Sequence, residues 1–276
     1  MSRGSHALSR CTRVFFSFPE VTDPARHRDY NAWHQLDHRP ENLALPGVLH
    51  GDRWVRSPEC RDASAIDDDP VLSPAQYVAM YWFAEPAGAS IEEWSELGQT
   101  TLEQGRRPEL EWTRRRVNGF FRPLGGRAAP GVAISPEALP HRPHRGVVLE
   151  VLRADEPSGA AAEAGFGVLH REHLPAVLAV PGVLGTWSFA SRDVTLRGDG
   201  GDGGDGDVRR DTTRGAYTVV LHWCEADPVE VAATLPPPVA VPGLRTVLRT
   251  PLRTVVAGEW SWFDADRAGT AVSPGA

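Results

Sequence analysis

The 276-residue chain contains no lysine: all 29 of its basic residues are arginine. A mechanism running through a lysine Schiff base is thereby excluded. Together with abundant Ala, Gly and Pro, the absence points to a coding bias rather than a physical demand. Cysteine is scarce, and Cys11, Cys60 and Cys224 are widely scattered. An odd number without close spacing argues against a disulfide framework and against a cysteine-based zinc site. A reducing cytoplasm is therefore the expected location. Cys224 lies in an apolar, strand-like run and reads as an inert buried thiol rather than a nucleophile. Long apolar runs are lacking as well. The longest stretch without a polar side chain, Leu174 to Gly185, contains two prolines and falls well short of the roughly 20 residues of a membrane-spanning helix. Met1 to His6 has no apolar core, so a secretory leader is not expected. Positive charge is in deficit, 29 basic against 36 acidic residues for a net of −7, which argues against nucleic acid as a partner. No G-x-G-x-x-G follows a strand, and neither a P-loop nor a G-x-S-x-G elbow is found, so nucleotide cofactors and serine hydrolysis are disfavoured.

What is present is an ordinary globular composition, 41% hydrophobic and 24% charged, long enough for one large domain or two ordinary ones. The informative feature is internal. Asp37-His38-Arg39-Pro40-Glu41-Asn42-Leu43-Ala44-Leu45-Pro46-Gly47-Val48-Leu49 matches Glu172-His173-Leu174-Pro175-Ala176-Val177-Leu178-Ala179-Val180-Pro181-Gly182-Val183-Leu184 at a constant offset. Such self-similarity dictates architecture before any element is assigned. Each half offers a strand (Arg13 to Phe18; Gly146 to Leu152), a helix ending in the His/Pro-Gly motif, and two further strands. These are Val48–Val55 with Gln76–Glu85, and Val183–Ala190 with Ala216–Glu225. In the last pair, Tyr77 aligns with Tyr217 in sequence. A second helix follows, opened by the capping-box form Ser90-x-x-Glu93 in one half and by Asp227-Pro228 in the other. A closing strand is expected over Val117–Arg122 and from Thr254 onward. The order is βαββαβ, twice.

The expected organisation is an N-terminal tail (1–12), a first repeat (13–122), a Pro/Gly-rich linker (123–145), a second repeat (146–265) and a disordered tail (266–276). Both long hairpin loops, Ser57–Ser73 and Arg197–Arg214, are polar and acidic. One calcium-type G-G-x-G-x-D match at Gly200–Asp205 fails at Asp207 and has no second copy, so a solvated loop is expected there.

A βαββαβ unit forms an antiparallel four-stranded sheet with both helices on one face. Two such units with their bare faces packed together close a shared core. On these residues the chain resembles the dimeric α+β barrel superfamily of ferredoxin-like proteins, as an intramolecular tandem fusion. Trp33-x-x-x-Asp37-His38-x-Pro40, followed by Leu43-x-x-Pro46-Gly47, is similar to the motif of its EthD-like and uncharacterised members. The superfamily includes cofactor-free monooxygenases, polyketide cyclases, lactone isomerases and haem proteins. The resemblance implies a small-molecule ligand, with a cavity between sheet and helices in each half and the first helix forming part of its wall. A pseudodimer within one chain would need no partner subunit, so a monomer is expected.

At helical spacing Asn31, His34, Gln35 and His38 form one polar stripe, and Phe166, Leu169, His170 and His173 form its mainly apolar counterpart. The expected site is therefore in the first half. His38 serves there as general base or acid, assisted by His34 and Tyr77, with Trp33, Asn31 and Gln35 around the ligand; His173, Phe166, Leu169 and His170 are the second-half candidates. Imidazole titrates near neutrality and needs no cofactor to take a proton from a carbon acid or phenol. The plainer reading is that His38 and His173 brace the turn before Pro40 and Pro175. No metal is expected, because His34 and His38 lack a third ligand and no H-E-x-x-H occurs. Haem is the alternative cofactor, since one buried histidine can ligate it. The remaining alternative is a non-catalytic binding or structural pseudodimer.

Overall fold

The computed structural model describes residues 7–107, 111–198 and 208–265. In chain order the principal elements are β1 (Arg13–Val21), α1 (His27–Trp33), α2 (Arg39–Ala44), β2 (Val48–Val55), α3 (Pro58–Asp62), β3 (Ile66–Asp67), β4 (Tyr77–Phe83), α4 (Ala87–Glu103) and β5 (Thr113–Ala128). There follow β6 (Gly146–Ala154), α5 (Ala160–Val168), α6 (Leu174–Leu178), β7 (Val183–Arg197), β8 (Val208–Asp211), β9 (Tyr217–Cys224), α7 (Pro228–Thr234), β10 (Ala240–Val241) and β11 (Leu244–Thr254). This is a mixed α+β fold built on one large antiparallel sheet. The strands run β11-β2-β4-β1-β5-β7-β9-β6, and β6 pairs again with β11, so the path closes on itself. Its longest pairing joins β5 to β7, from Val117↔Leu196 to Ala128↔Gly185. The pairing of β11 with β2 is confined to Arg253↔Val55 and Thr254↔Trp54.

Period-two alternation explains where the core sits. On β1, Val14, Phe16 and Phe18 point inward; on β4, Val78, Met80 and Trp82 do; on β9, Val219, Leu221 and Trp223 do. These side chains share one buried cluster with Trp54, Phe121, Leu149, Trp187, Phe189 and Leu252. Removal of each large apolar side chain from water contributes about 1.5–3 kcal/mol, which makes the enclosed face the main source of stability. The alternate residues point outward beneath the helices, for example Phe15, Tyr81 and Phe83 against Leu43, Ile91 and Trp94.

Several expected boundaries shift. The stretch read as a linker is partly sheet: β5 continues from Arg122 through Ala128 along β7. Its proline is accommodated where the register breaks between Pro123 and Gly125. Gly126 lies flat against Trp187, where a Cβ would come within 2.3 Å of the indole. A helical turn at Pro136–His141 then buries Leu139 completely. The closing strand of the second half ends at Thr254 instead of starting there. Helix α4 begins three residues before Ser90, so no capping box forms and the Ser90 hydroxyl donates to the Ala84 carbonyl at 2.9 Å. Asp227 does cap α7, accepting from the Val229 amide at 2.8 Å. The Ser57–Ser73 loop is structured through α3 and β3, because buried Arg56 gathers Asp67, Ser64 and the Ser73 carbonyl. In the N-terminal tail, Ala7–Arg10 form a helical turn with Leu8 buried. The calcium-type match at 200–205 and the tail from 266 lie outside the described residues.

Tyr77 and Tyr217 are not equivalent. Val48 pairs with Phe83 and Val183 pairs with Cys224, which sets Tyr81 against His222 and moves the alignment by one residue. A one-residue slip turns a strand side chain to the opposite face. Accordingly Tyr77 packs outside the sheet with Tyr30, while Tyr217 lies in the enclosed core.

Candidate functional site

The histidine motif sits at an irregularity that its own proline imposes. Pro40 has no N–H to give to the Leu36 carbonyl and its ring would collide with that oxygen in a regular helix. The backbone inserts one residue instead. His34–His38 form a π-helical turn in which the Arg39 amide reaches back to the His34 carbonyl. Leu169–His173 form the same turn ahead of Pro175, with the Leu174 amide bonded to the Leu169 carbonyl. The wider turn keeps the rings of His34 and His38 close, with centroids 5.0 Å apart and edge to face. Trp33 stacks on His38 at 4.8 Å.

Both histidines border a cavity of about 220 Å³ between α1–α2, α4 and the outer face of β1, β4 and β5. Trp33, Tyr30, Tyr81, Trp94, Arg107 and Arg115 complete the working part of its wall. Among the described residues no aspartate or glutamate lines it. Three lining residues carry buried polar atoms with no hydrogen-bond partner: Nδ1 of His34, the hydroxyl of Tyr81 and Nε1 of Trp94. Native interiors leave few such groups unmatched, and a cluster of them around a cavity marks a place for a ligand or water.

The field in the cavity is positive. Burial first, then the charges of Arg115, Arg107 and Arg53, press the His38 imidazole down to about 3. Burial and Arg53 hold His34 well below its ordinary value. Both rings are therefore neutral at pH 7. Arg53 is almost fully buried, and none of its three guanidinium nitrogens has a hydrogen-bond acceptor. It lies 4.8 Å from the Tyr30 ring centre and 4.4 Å from that of Tyr77, held by cation–π contact. Arg56, three residues on, is buried with a carboxylate 2.6 Å away, so Arg53 is the anomaly. Arg107 and Arg115 likewise have no carboxylate partner among the described residues. Desolvation, followed by the nearby charge of Arg107, lowers the Arg115 pKa.

The expected residues divide. His34, His38 and Trp33 line the cavity; Asn31, Gln35 and Tyr77 do not. Tyr77 stands behind Tyr30. Its hydroxyl accepts from the Asn31 amide at 2.9 Å and lies 2.9 Å from His27 Nδ1. His27 is pressed down to about 4, chiefly by burial, so it is neutral, and with its proton on Nε2 its Nδ1 accepts the hydrogen bond of the Tyr77 hydroxyl. In the second half, Leu169 is a core residue. Phe166 and His170 instead face an open groove of about 710 Å³ with Arg122, Arg192 and Arg214.

His173 occupies a different environment from His38. Beneath His38 the paired strand positions are Phe15↔Tyr81 and Ser17↔Ala79. Beneath His173 they are Val148↔His222 and Glu150↔Val220. His173 Nε2 is 3.2 Å from Glu150 Oε1, His222 Nε2 is 3.4 Å from it and Arg249 Nε is 3.3 Å away, all buried. Burial opposes charge on Glu150, but hydrogen bonds from His173 and His222 and their nearby charge outweigh it and hold the carboxyl far below its ordinary range. The three ligating atoms lie within 4.8 Å of one another, a spacing a metal ion could bridge. Arg249 already neutralises Glu150 there, so a divalent cation would leave uncompensated buried charge. At about 220 Å³ the cavity at His38 is smaller than the 300–1,000 Å³ of ordinary ligand pockets.

Sequence reading missed Arg53, Arg107, Arg115 and Trp94 as site residues. Arg107 and Arg115 are brought to the cavity from the far end of the first half, and no local spacing announces them. No helix among the described residues is long and apolar enough to cross a membrane.

No family model matches the sequence, and no curated protein matches it either. Solved structures do. An anthrone oxidase-like protein is 10% identical with a TM-score of 0.47, covering 91% of this chain and 94% of its own. A protein assigned as a chlorite dismutase is 12% identical with a TM-score of 0.46, over 92% and 98% of the two chains. A protein assigned as a monooxygenase from Lactobacillus acidophilus NCFM is 10% identical with a TM-score of 0.42, over 88% and 96%.

Proposed function

We propose that the chain is a tandem pair of ferredoxin-like units of the dimeric α+β barrel type, EthD-like in its motif, and that the first unit holds a small-molecule active site. The matched π turns at 34–38 and 169–173, the repeated His-x-Pro, and the parallel registers of β1 with β4 and β6 with β9 support the duplication. The reading rests above all on one observation: a cavity that joins His34, His38 and Tyr81 and leaves polar atoms of its lining unmatched.

Neutral His38 takes a proton from a carbon acid or phenol seated against Trp33 and Trp94, while the Tyr81 hydroxyl donates to the oxygen on which charge develops. This chemistry of cyclisation, isomerisation, lyase or oxygenation type asks for no cofactor in the proton-transfer step. The second unit serves architecture, because Glu150, His222 and Arg249 engage the histidine that corresponds to His38. A second reading, a binding module without turnover, is favoured by how weak a base His38 is in the free protein.

The deciding experiment incubates the protein with pools of phenolic and polyketide-like compounds and follows conversion by mass spectrometry. Conversion by the parent chain that disappears in His38→Gln, with an unchanged circular-dichroism melt, is the expected result. Full conversion by His38→Gln removes His38 from the mechanism; binding without conversion by the parent selects the second reading.

A further inference from the structure

We infer that the cavity takes an organic anion, a compact aromatic or conjugated carboxylate or enolate, with Arg107 and Arg115 as its charge partners. The inference rests on the cavity being a ligand site and adds the chemical class of the ligand.

Three observations converge on it. Arg107 and Arg115 line the cavity, and among the described residues no carboxylate lines it with them or pairs with either arginine. Arg53 adds a third positive charge behind Tyr30, again without an acceptor. Buried cations in folded proteins are ordinarily paired, and this chain pairs Arg56 with Asp67 at 2.6 Å and Arg116 with Glu20 at 2.7 Å, whereas equally buried Arg53 has no acceptor among the described residues; Arg107 is half-buried and Arg115 exposed along the cavity wall. The positive field is thus a property of this place and not of the chain, whose net charge is negative. The apolar part of the ligand is set by Phe15, Trp33 and Trp94, and its size by a volume of about 220 Å³, which suits one or two fused rings. A guanidinium meets a planar carboxylate or enolate through charge-assisted, directional hydrogen bonds.

Binding and basicity are coupled here. Arg115, Arg107 and Arg53 are, after burial, what weakens His38 as a base. An anion placed among them offsets their charge and strengthens the imidazole at the moment a ligand is present.

The test is calorimetric titration of the full chain with benzoate and 2-naphthoate, each against its neutral amide and against sodium phosphate at equal ionic strength. Acids should bind about tenfold more tightly than amides, as charge-assisted hydrogen bonds imply, and Arg115→Gln and Arg107→Gln should each erase most of that preference, lowering acid affinity far more than amide affinity. NMR titration should show the His38 resonance moving toward ordinary histidine pKa on naphthoate binding. Equal affinity for acid and amide, with both shifting His38, overturns the anion inference and leaves the ligand site standing. Phosphate matching naphthoate reduces the arginines to a general anion patch and overturns the stated class. No binding by acid or amide, with no shift at His38, overturns the inference too, and the conversion assay with His38→Gln then judges the site separately.

Discussion

At the scale of single residues the two halves have used one histidine position in opposite ways. His38 borders a cavity lined by Arg107 and Arg115, which have no carboxylate partner among the described residues; His173 has a buried carboxylate within hydrogen-bond reach. Glu150 is the pivot of the second arrangement, since His173, His222 and Arg249 all converge on its Oε1. Substituting Glu150→Leu leaves the Arg249 guanidinium buried without its counter-charge. Removing one partner of a buried pair costs about 3–5 kcal/mol, and that loss is expected in urea denaturation. A double change, Glu150→Leu with Arg249→Met, should recover most of it; a single variant as stable as the parent would mean that Glu150 is not the neutralising partner of Arg249.

Among the elements, the first helix depends most visibly on one residue. Pro40 forces the π turn, and the turn places His34 and His38 on the cavity together. Pro40→Ala permits regular α-helical bonding through Leu36 and lets the segment before α2 rewind by about 100° per residue removed. The expected outcome is loss of ligand affinity by about tenfold or more with little loss of stability, because a proline-to-alanine change in a helix is locally favourable. A crystal structure of the variant that retains the π turn, with affinity intact, would show that packing alone holds the geometry. Strand β5 matters in a second way. It carries Arg115 to the cavity and then runs on to Ala128 as the long seam with β7, so one element serves both site and closure.

For the whole molecule, stability should fall on the acid side. Burial, the leading cause in each case, holds His27 to about 4, His38 to about 3 and His50 to about 4 in the folded chain. An unfolded histidine titrates near 6.5. A depressed histidine binds its proton more readily when unfolded, so the stabilising contribution is complete above pH 6.5 and is lost as pH drops toward 4. His144 has the opposite sign. Burial opposes its protonation, but Asp52 at 3.3 Å prevails and raises its pKa, so its contribution is present below 6.5 and fades at higher pH. Burial likewise depresses His34, His170 and His222, so the depressed histidines outnumber this one, and urea midpoints should decline steadily from pH 7 to pH 4.5. His27→Gln should flatten part of that slope; an unchanged slope would remove His27 as a contributor.

Much of this was legible along the chain. The repeat of His, Pro and Pro-Gly, the strand candidates and the Asp227 helix start depend on local rules, and β2 falls on its expected residues. Local order also explains why His38 and Trp33 could be named: they are neighbours on one helix. The alignment of Tyr217 with Tyr77 could not be corrected this way, because both halves carry the same bulge after Val48 and Val183 and only the pairing of Val48 with Phe83 and of Val183 with Cys224 fixes the true register. Asn31 and Gln35 were placed by uniform helical spacing; the π turn breaks that spacing at Gln35, whereas Asn31, on α1 ahead of the turn, donates to the Tyr77 hydroxyl instead. The amino-acid sequence alone thus determined the alternation of elements and the proline-bound histidines, since backbone sterics and side-chain periodicity act between near neighbours. Only the closed sheet decided that one histidine meets a cavity edged with arginine and the other a glutamate, because those partners lie on strands that meet through pairing across the fold.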